Sequence, residues 1–179
     1  MAISENPKNL TLAELNRLSK QNFTQKLGEI FEHAPWVAEG AYDARPFQSI
    51  ESLHDAMTAV IIAAPPSVKL GLIRNHPELA GKAALAGELT AASTNEQKGA
   101  GLDQCSPAEF TELTALNRAY TDKFAMPFVI AVRGLTRSDI IAALRRRIDN
   151  NADAEQSEAL AQIYRIGRFR LEALIQESL

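Results

Sequence analysis

The chain of 179 residues is short of the residues that announce most chemistries. It has one cysteine, Cys105, so no disulfide can close within it and a cysteine-rich structural zinc site is excluded. It has one tryptophan and three histidines, His33, His54 and His76, so an imidazole-based site must be built from few candidates. It lacks a basic excess: the formal net charge is −3 and the sequence pI about 5.7, which offers no electrostatic footprint for a nucleic acid. The one compact basic run, Arg145-Arg146-Arg147, falls inside a helical pattern and reads as a solvated face. No apolar run approaches the ~20 residues of a membrane span. The opening stretch MAISENPKNLTLAEL lacks a signal-peptide core, and the closing QESL is not a Ser-Lys-Leu address. The expectation is a cytoplasmic protein with no nucleic-acid or membrane partner. Nucleophile elbow, phosphate loop, HExxH and dinucleotide fingerprint are all missing.

What is present is helix. Hydrophobic residues make up 46% and charged residues 23%, ordinary for a globular chain, and the length suits one domain over residues 1–179. Thr11-x-x-Glu14, Ser106-Pro107-x-Glu109 and Thr136-x-x-Asp139 carry the spacing of helix-start capping boxes. Apolar stripes at helical spacing follow: Phe23, Leu27, Ile30 and Phe31; Leu53, Met57, Val60 and Ile61; Phe110, Leu113, Leu116, Tyr120 and Phe124, with the polar Asn117 on the same helix; Ile140, Ile141, Leu144 and Ile148; Leu160, Ile163, Tyr164, Leu171 and Leu174. APWVAEGAYDARPF (Ala34–Phe47), broken by two prolines and a glycine, reads as a long, partly packed loop. Lys82–Leu89 reads as an alanine-rich helix. The fold class expected is all-α: a single-domain multi-helix bundle with one short extended segment.

That extended segment is MPFVIAVRG (Met126–Gly134), bounded by proline and glycine with no strand partner in view. Buried backbone groups must be paired, so the amides of Phe128–Val132 need helix ends, side chains, water or a ligand. His76 is the second feature. It stands before Pro77, and a proline at the first helical position would put His76 at a helix mouth, presented clear of the helix face. The bland alternative is a polar cap. Glu96, in Ser93-Thr94-Asn95-Glu96-Gln97, is the third. Ser-x-x-Glu is capping-box spacing, so its structural reading is a cap for its own helix. His33 and His54 read as structural. Cys105, before Ser-Pro at a helix start, can have a lowered thiol pKa, but with no base implied beside it a small inert thiol is the preferred reading.

Taken together, HPELAGK (His76–Lys82), LTAASTNEQKGAGLDQ (Leu89–Gln104), LNRAYTDKFAMPFVIAVRG (Leu116–Gly134) and the Ala34–Phe47 segment resemble the 2-oxo-4-hydroxy-4-carboxy-5-ureidoimidazoline (OHCU) decarboxylase family in order and spacing. The resemblance implies an all-helical fold, usually a homodimer, without cofactor or metal. It implies a small ureidoimidazoline substrate that loses carbon dioxide to give (S)-allantoin, the last step of oxidative urate breakdown. It assigns the catalytic histidine to His76 and its acidic partner to Glu96. It places substrate contacts at Pro77, at Ser93, Thr94, Asn95, Glu96 and Gln97, and at Phe128, Val129, Ile130, Ala131 and Val132, with Arg133 as a further contact. The competing classes are a hydrolase acting on a related ring, which would take up water without releasing CO2, and a non-enzymatic helical binding domain, in which Glu96 would serve only as a cap.

Overall fold

The computed structural model describes residues 10–81 and 87–176. Helix starts follow the capping chemistry written in the sequence. Thr11, Ser106 and Thr136 each accept the N3 backbone N–H, and the N3 carboxylates of Glu14, Glu109 and Asp139 return a bond to the cap N–H. Ser49 and Ser52 form the same box with hydroxyls alone. The helices are α1 (Leu12–Arg17), α2 (Lys20–Leu27), α3 (Pro35–Ala41), α4 (Ile50–Ala63), α5 (Pro66–Arg74), α6 (Ala91–Gly99), α7 (Pro107–Phe124), α8 (Arg137–Arg147) and α9 (Ala152–Leu174). The all-α expectation holds, with one addition. Two short parallel strands, β1 (Leu10–Thr11) and β2 (Ile175–Gln176), pair Leu10 with Ile175 and Thr11 with Gln176.

The chain groups into two compact units, Met1–Lys69 with Tyr164–Leu179, and Leu70–Ile163. In the first, Leu15, Phe23, Leu27, Val37, Leu53, Met57 and Ile61 are buried together with the Arg170–Glu32 ion pair (3.0 Å). The Ala34–Phe47 segment departs from the loop expected of it. Pro35 sits in the first turn of α3, where its missing N–H costs nothing, and a 3-10 turn over Tyr42–Ala44 follows. Its end is locked by polar contacts. Arg45 lies 3.4 Å over the Tyr42 ring and donates to the Asn16 and Leu18 carbonyls, and Asn16 exchanges two hydrogen bonds with the Phe47 backbone. Gly167 is required in this unit, because a Cβ there would lie 2.6 Å from the Phe31 ring.

In the second unit, Leu113, Tyr120 and Phe124 of α7 and Ile140 and Leu144 of α8 are buried, with Met126, Phe128 and Val129 of the segment between the helices. All the candidate site residues belong to this unit.

Candidate active site

His76 does not open a helix. α5 ends at Arg74, and the His76 N–H donates back to the Ile73 carbonyl at 3.1 Å, so the histidine closes the helix that precedes it. The reason is the proline: a residue before proline is driven out of helical dihedrals, which terminates α5, and Pro77 itself starts no helix in the described residues. The alanine-rich helix expected over Lys82–Leu89 lies mostly outside the described residues, and Gly87–Leu89 are not helical.

The turn after Pro77 is braced by side-chain amides. Gln97 of α6 accepts the Ala80 N–H through Oε1 (2.9 Å) and donates from Nε2 to the Glu78 carbonyl (3.4 Å). Asn117 of α7 donates from Nδ2 to the Leu79 carbonyl (2.9 Å). Ala80 is held at a φ of +50°, in the left-handed region.

α6 also starts differently from its capping-box spacing. Its N-cap is Thr90, whose hydroxyl accepts the Ser93 N–H at 3.3 Å. Ser93 is therefore inside the helix, and Glu96 lies in its second turn, beyond the N-cap. Ser93 and Gln97 are buried one turn apart, Glu96 and Thr94 are half-buried, and Asn95 is exposed. The Thr94 hydroxyl donates to the Thr90 carbonyl (3.0 Å). The face carrying Ser93, Glu96 and Gln97 is thus the one that meets the His76 turn.

Pro127–Val132 is neither helix nor strand, with a bend at Met126 and a turn at Arg133–Gly134, and among the described residues it pairs with no strand. Phe128, Val129, Ile130, Ala131 and Val132 are all buried, and Arg133 is exposed in the turn that follows. In extended backbone successive residues direct their N–H and C=O to opposite sides. The odd-numbered side is tied down: the Val129 carbonyl accepts from Arg147 Nη1 (2.7 Å), and the Ala131 N–H donates to Gln162 Oε1 (3.0 Å). On the even-numbered side, no hydrogen bond from the Ile130 or Val132 N–H ends on a described residue. Two donors thus stand on that side of the buried segment, where the Val132 carbonyl accepts the Leu135 N–H (3.0 Å). At its entry, Arg74 Nε donates to the Ala125 carbonyl (2.9 Å), joining the end of α5 to the start of the segment.

Arg147 is itself fixed. Its guanidinium meets Glu155 (2.5 and 2.8 Å) and sits 4.5 Å over the Phe128 ring. Glu155 also accepts from the Tyr120 hydroxyl (2.5 Å) and from Asn150 (2.8 Å). Burial and the Glu155 carboxylate together push the Tyr120 phenol well above its ordinary pKa, so it stays a neutral donor. The basic run is therefore not one solvated face. Arg145 and Arg146 are exposed, whereas Arg147 is 4% exposed. The signal was in the spacing: Arg147 lies three residues after Leu144 and seven after Ile140, on the apolar side of α8. Gln162, seven residues after the buried Glu155, is likewise on the inner side of α9 and was missed.

The remaining candidates fall away. His54 lies 2.7 Å from the Tyr164 carbonyl, which its Nε2–H serves as donor, and His33 is exposed in a turn at φ +55°. Burial, then the Glu109 charge, raises the Cys105 thiol pKa, so its helix-start position does not activate it. Among the described residues no group of three His, Cys, Asp or Glu is arranged to hold a metal ion, and no single helix is long and apolar enough to cross a membrane.

The chain is similar to several known proteins. A uric acid degradation bifunctional protein of Bacillus subtilis, PucL, is 41% identical over 167 residues, which are 93% of this chain and 33% of that protein. The chain thus spans about a third of the length of that relative. A 2-oxo-4-hydroxy-4-carboxy-5-ureidoimidazoline decarboxylase of Haloferax volcanii is 39% identical over 162 residues, 90% of this chain and 94% of that one. The crystal structure of an (S)-allantoin synthase superposes with a TM-score of 0.77 at 29% identity, covering 93% of this chain and 54% of the other. The fold is shared with an OHCU decarboxylase crystallised in the presence of (S)-allantoin, at a TM-score of 0.66 and 18% identity over 88% of this chain and 98% of the other. The OHCU decarboxylase family model matches residues 16–172, through both compact units, and the chain belongs to that family.

Proposed function

We propose that this chain decarboxylates OHCU to (S)-allantoin, with His76 as proton donor and Glu96 as its acidic partner. Family membership supports the reaction. The observation that carries the residue assignment is the hydrogen bonding within one unit. Gln97 reaches the turn after His76, and Arg74, two residues before His76, reaches the entry of the extended segment.

The chemistry suits these groups. In the substrate the carboxylate and a hydroxyl share one ring carbon, and the neighbouring ring carbon belongs to a C=N bond. When the C–CO2 bond breaks, its electron pair forms a C=C bond between the two ring carbons and displaces the C=N pair onto nitrogen. The substrate is its own electron sink, so the chemistry calls for no cofactor. Protonation of that ring nitrogen and of the carbon that bears the ureido group, with loss of the hydroxyl proton to form a carbonyl, completes allantoin, and the carbon protonation sets its handedness. An imidazole titrating near neutrality suits that proton transfer. The Ile130 and Val132 N–H groups supply donors for the ring as it gains electron density. Pro77 and the Ser93–Gln97 turn wall the pocket, with Ser93, Thr94 and Asn95 supplying neutral polar groups and Glu96 orienting the ureido N–H groups or the imidazole. Phe128, Val129 and Ala131 present the extended edge, and Arg133 adds a charge for the carboxylate. The working form is a cytoplasmic homodimer in which residues 1–179 act as one domain.

The test is His76→Ala assayed with freshly made OHCU, following CO2 release and the circular dichroism of the product. Loss of enzyme-dependent CO2 release and a racemic product are expected. An unchanged rate with unchanged optical activity would overturn the assignment.

A further inference from the structure

Asn117 lies on the buried face of α7 between Leu113 and Tyr120, where its neighbours one turn away are apolar, and it is 4% exposed. A buried amide is costly unless its polar atoms are bonded. Its Nδ2 donates to the Leu79 carbonyl, and its Oδ1 has no partner among the described residues. An apolar residue of this size would avoid that orphaned oxygen. What the amide gives in return is a grip on the turn that carries His76.

That turn needs gripping. Ala80, the next residue, is held at φ +50°, a conformation that L-residues other than Asn and Asp rarely adopt. Gln97 takes the Ala80 N–H and the Glu78 carbonyl, and Asn117 takes the carbonyl between them. Upstream, His76 is bonded back to Ile73 at the end of α5, and the ring of Pro77 fixes its own φ. The chain from Ile73 to Ala80 is thus pinned at both ends around the histidine.

We propose that Asn117 is a positioning residue for His76: through Leu79 it holds the strained turn at Ala80 and so sets the direction in which Pro77 presents the imidazole. The proposal rests on His76 being the proton donor. Asn117 need not touch substrate, so its loss reads in the chemical step.

Three variants test this: Asn117→Ala, Asn117→Ala with Ala80→Gly, and Ala80→Val. The measurements are kcat, KM and product optical purity, with Tm alongside. Asn117→Ala is expected to lower kcat by about 10- to 100-fold, the scale of a misplaced catalytic group, with KM within about threefold of the parent. Ala80→Gly is expected to restore part of that loss, because glycine adopts positive φ without the grip. A purely structural role would lower Tm and leave kcat of the folded protein unchanged. Parental kcat in folded Asn117→Ala, or no recovery with glycine, would overturn the proposal. If Asn117→Ala does not fold, Ala80→Val decides: it opposes the same backbone conformation with Asn117 in place, so the same kcat loss is expected, and a parental kcat refutes it. If His76→Ala retains full activity, the proton-donor reading fails instead.

Discussion

At the scale of single residues, Glu96 separates a catalytic role from a structural one. Capping spacing gave it a structural job, but the cap of α6 is Thr90, which already takes the Ser93 N–H. With Thr90 as the cap, Glu96→Gln is not expected to cost the ~1 kcal/mol of a lost helix cap. Turnover is expected to fall by about 10²-fold or more, the scale of a lost acid–base partner. Parallel thermal melts and CO2-release assays read both, and parental turnover with a lowered Tm would return Glu96 to a structural role. His76 was legible as a candidate from its place before Pro77, whereas Glu96 read as a cap from its spacing and became a candidate only through the family resemblance. The local conformation around each was not legible. A proline after a histidine is compatible with a helix start and with a helix stop, and a Thr three residues before Ser93 competes with it for the same cap. Both ambiguities are settled by which backbone groups are already bonded, and that is a property of the folded chain.

At the scale of elements, the extended segment shows how far pattern reaches. Its proline and glycine bounds and its lack of a strand partner predicted a backbone in need of hydrogen bonds. Neither donor nor acceptor could be named, because Arg147 and Gln162 come from two helices further along the chain. Helical periodicity places both on inner faces, yet an arginine in a basic triplet and a glutamine beside apolar residues look like face-edge residues until the partner is known. Gln162 does two things there: Oε1 accepts the Ala131 N–H, and Nε2 donates to Glu158 (2.7 Å). Gln162→Met keeps the bulk and leaves a buried N–H unpaired, which costs about 1–3 kcal/mol. The segment is then free to rotate its even-numbered edge out of register, so kcat/KM is expected to fall together with Tm. Urea melts and steady-state kinetics on the same preparation check it. A destabilised variant whose kcat/KM equals that of the parent would show that the braced edge has no bearing on the opposite one.

At the scale of the whole molecule, the capping boxes at Glu14, Glu109 and Asp139 tie three helix starts to pH. Each carboxyl is held below its ordinary pKa by hydrogen bonds from its cap residue: the Thr11 backbone for Glu14, the Ser106 backbone for Glu109, and the Thr136 side chain followed by its backbone for Asp139. A folded pKa below the unfolded one means that the stabilisation is fully present above the unfolded value, roughly 4 for these side chains. It is lost as pH falls through the lower, folded value. The fourth box, Ser49 with Ser52, contains no ionisable group and keeps its bonds in acid. These carboxyls are at the surface, so salt weakens the ionic part of the effect and leaves the cap hydrogen bonds. The protein is therefore expected to lose Tm as the pH falls below about 4. Glu14→Gln, Glu109→Gln and Asp139→Asn combined should flatten that slope while lowering Tm at neutral pH, because the neutral side chains keep the box geometry with weaker acceptors. Scanning calorimetry of both proteins above and below that pH decides the point. An equally steep acid slope in the triple variant would place the acid sensitivity elsewhere in the molecule.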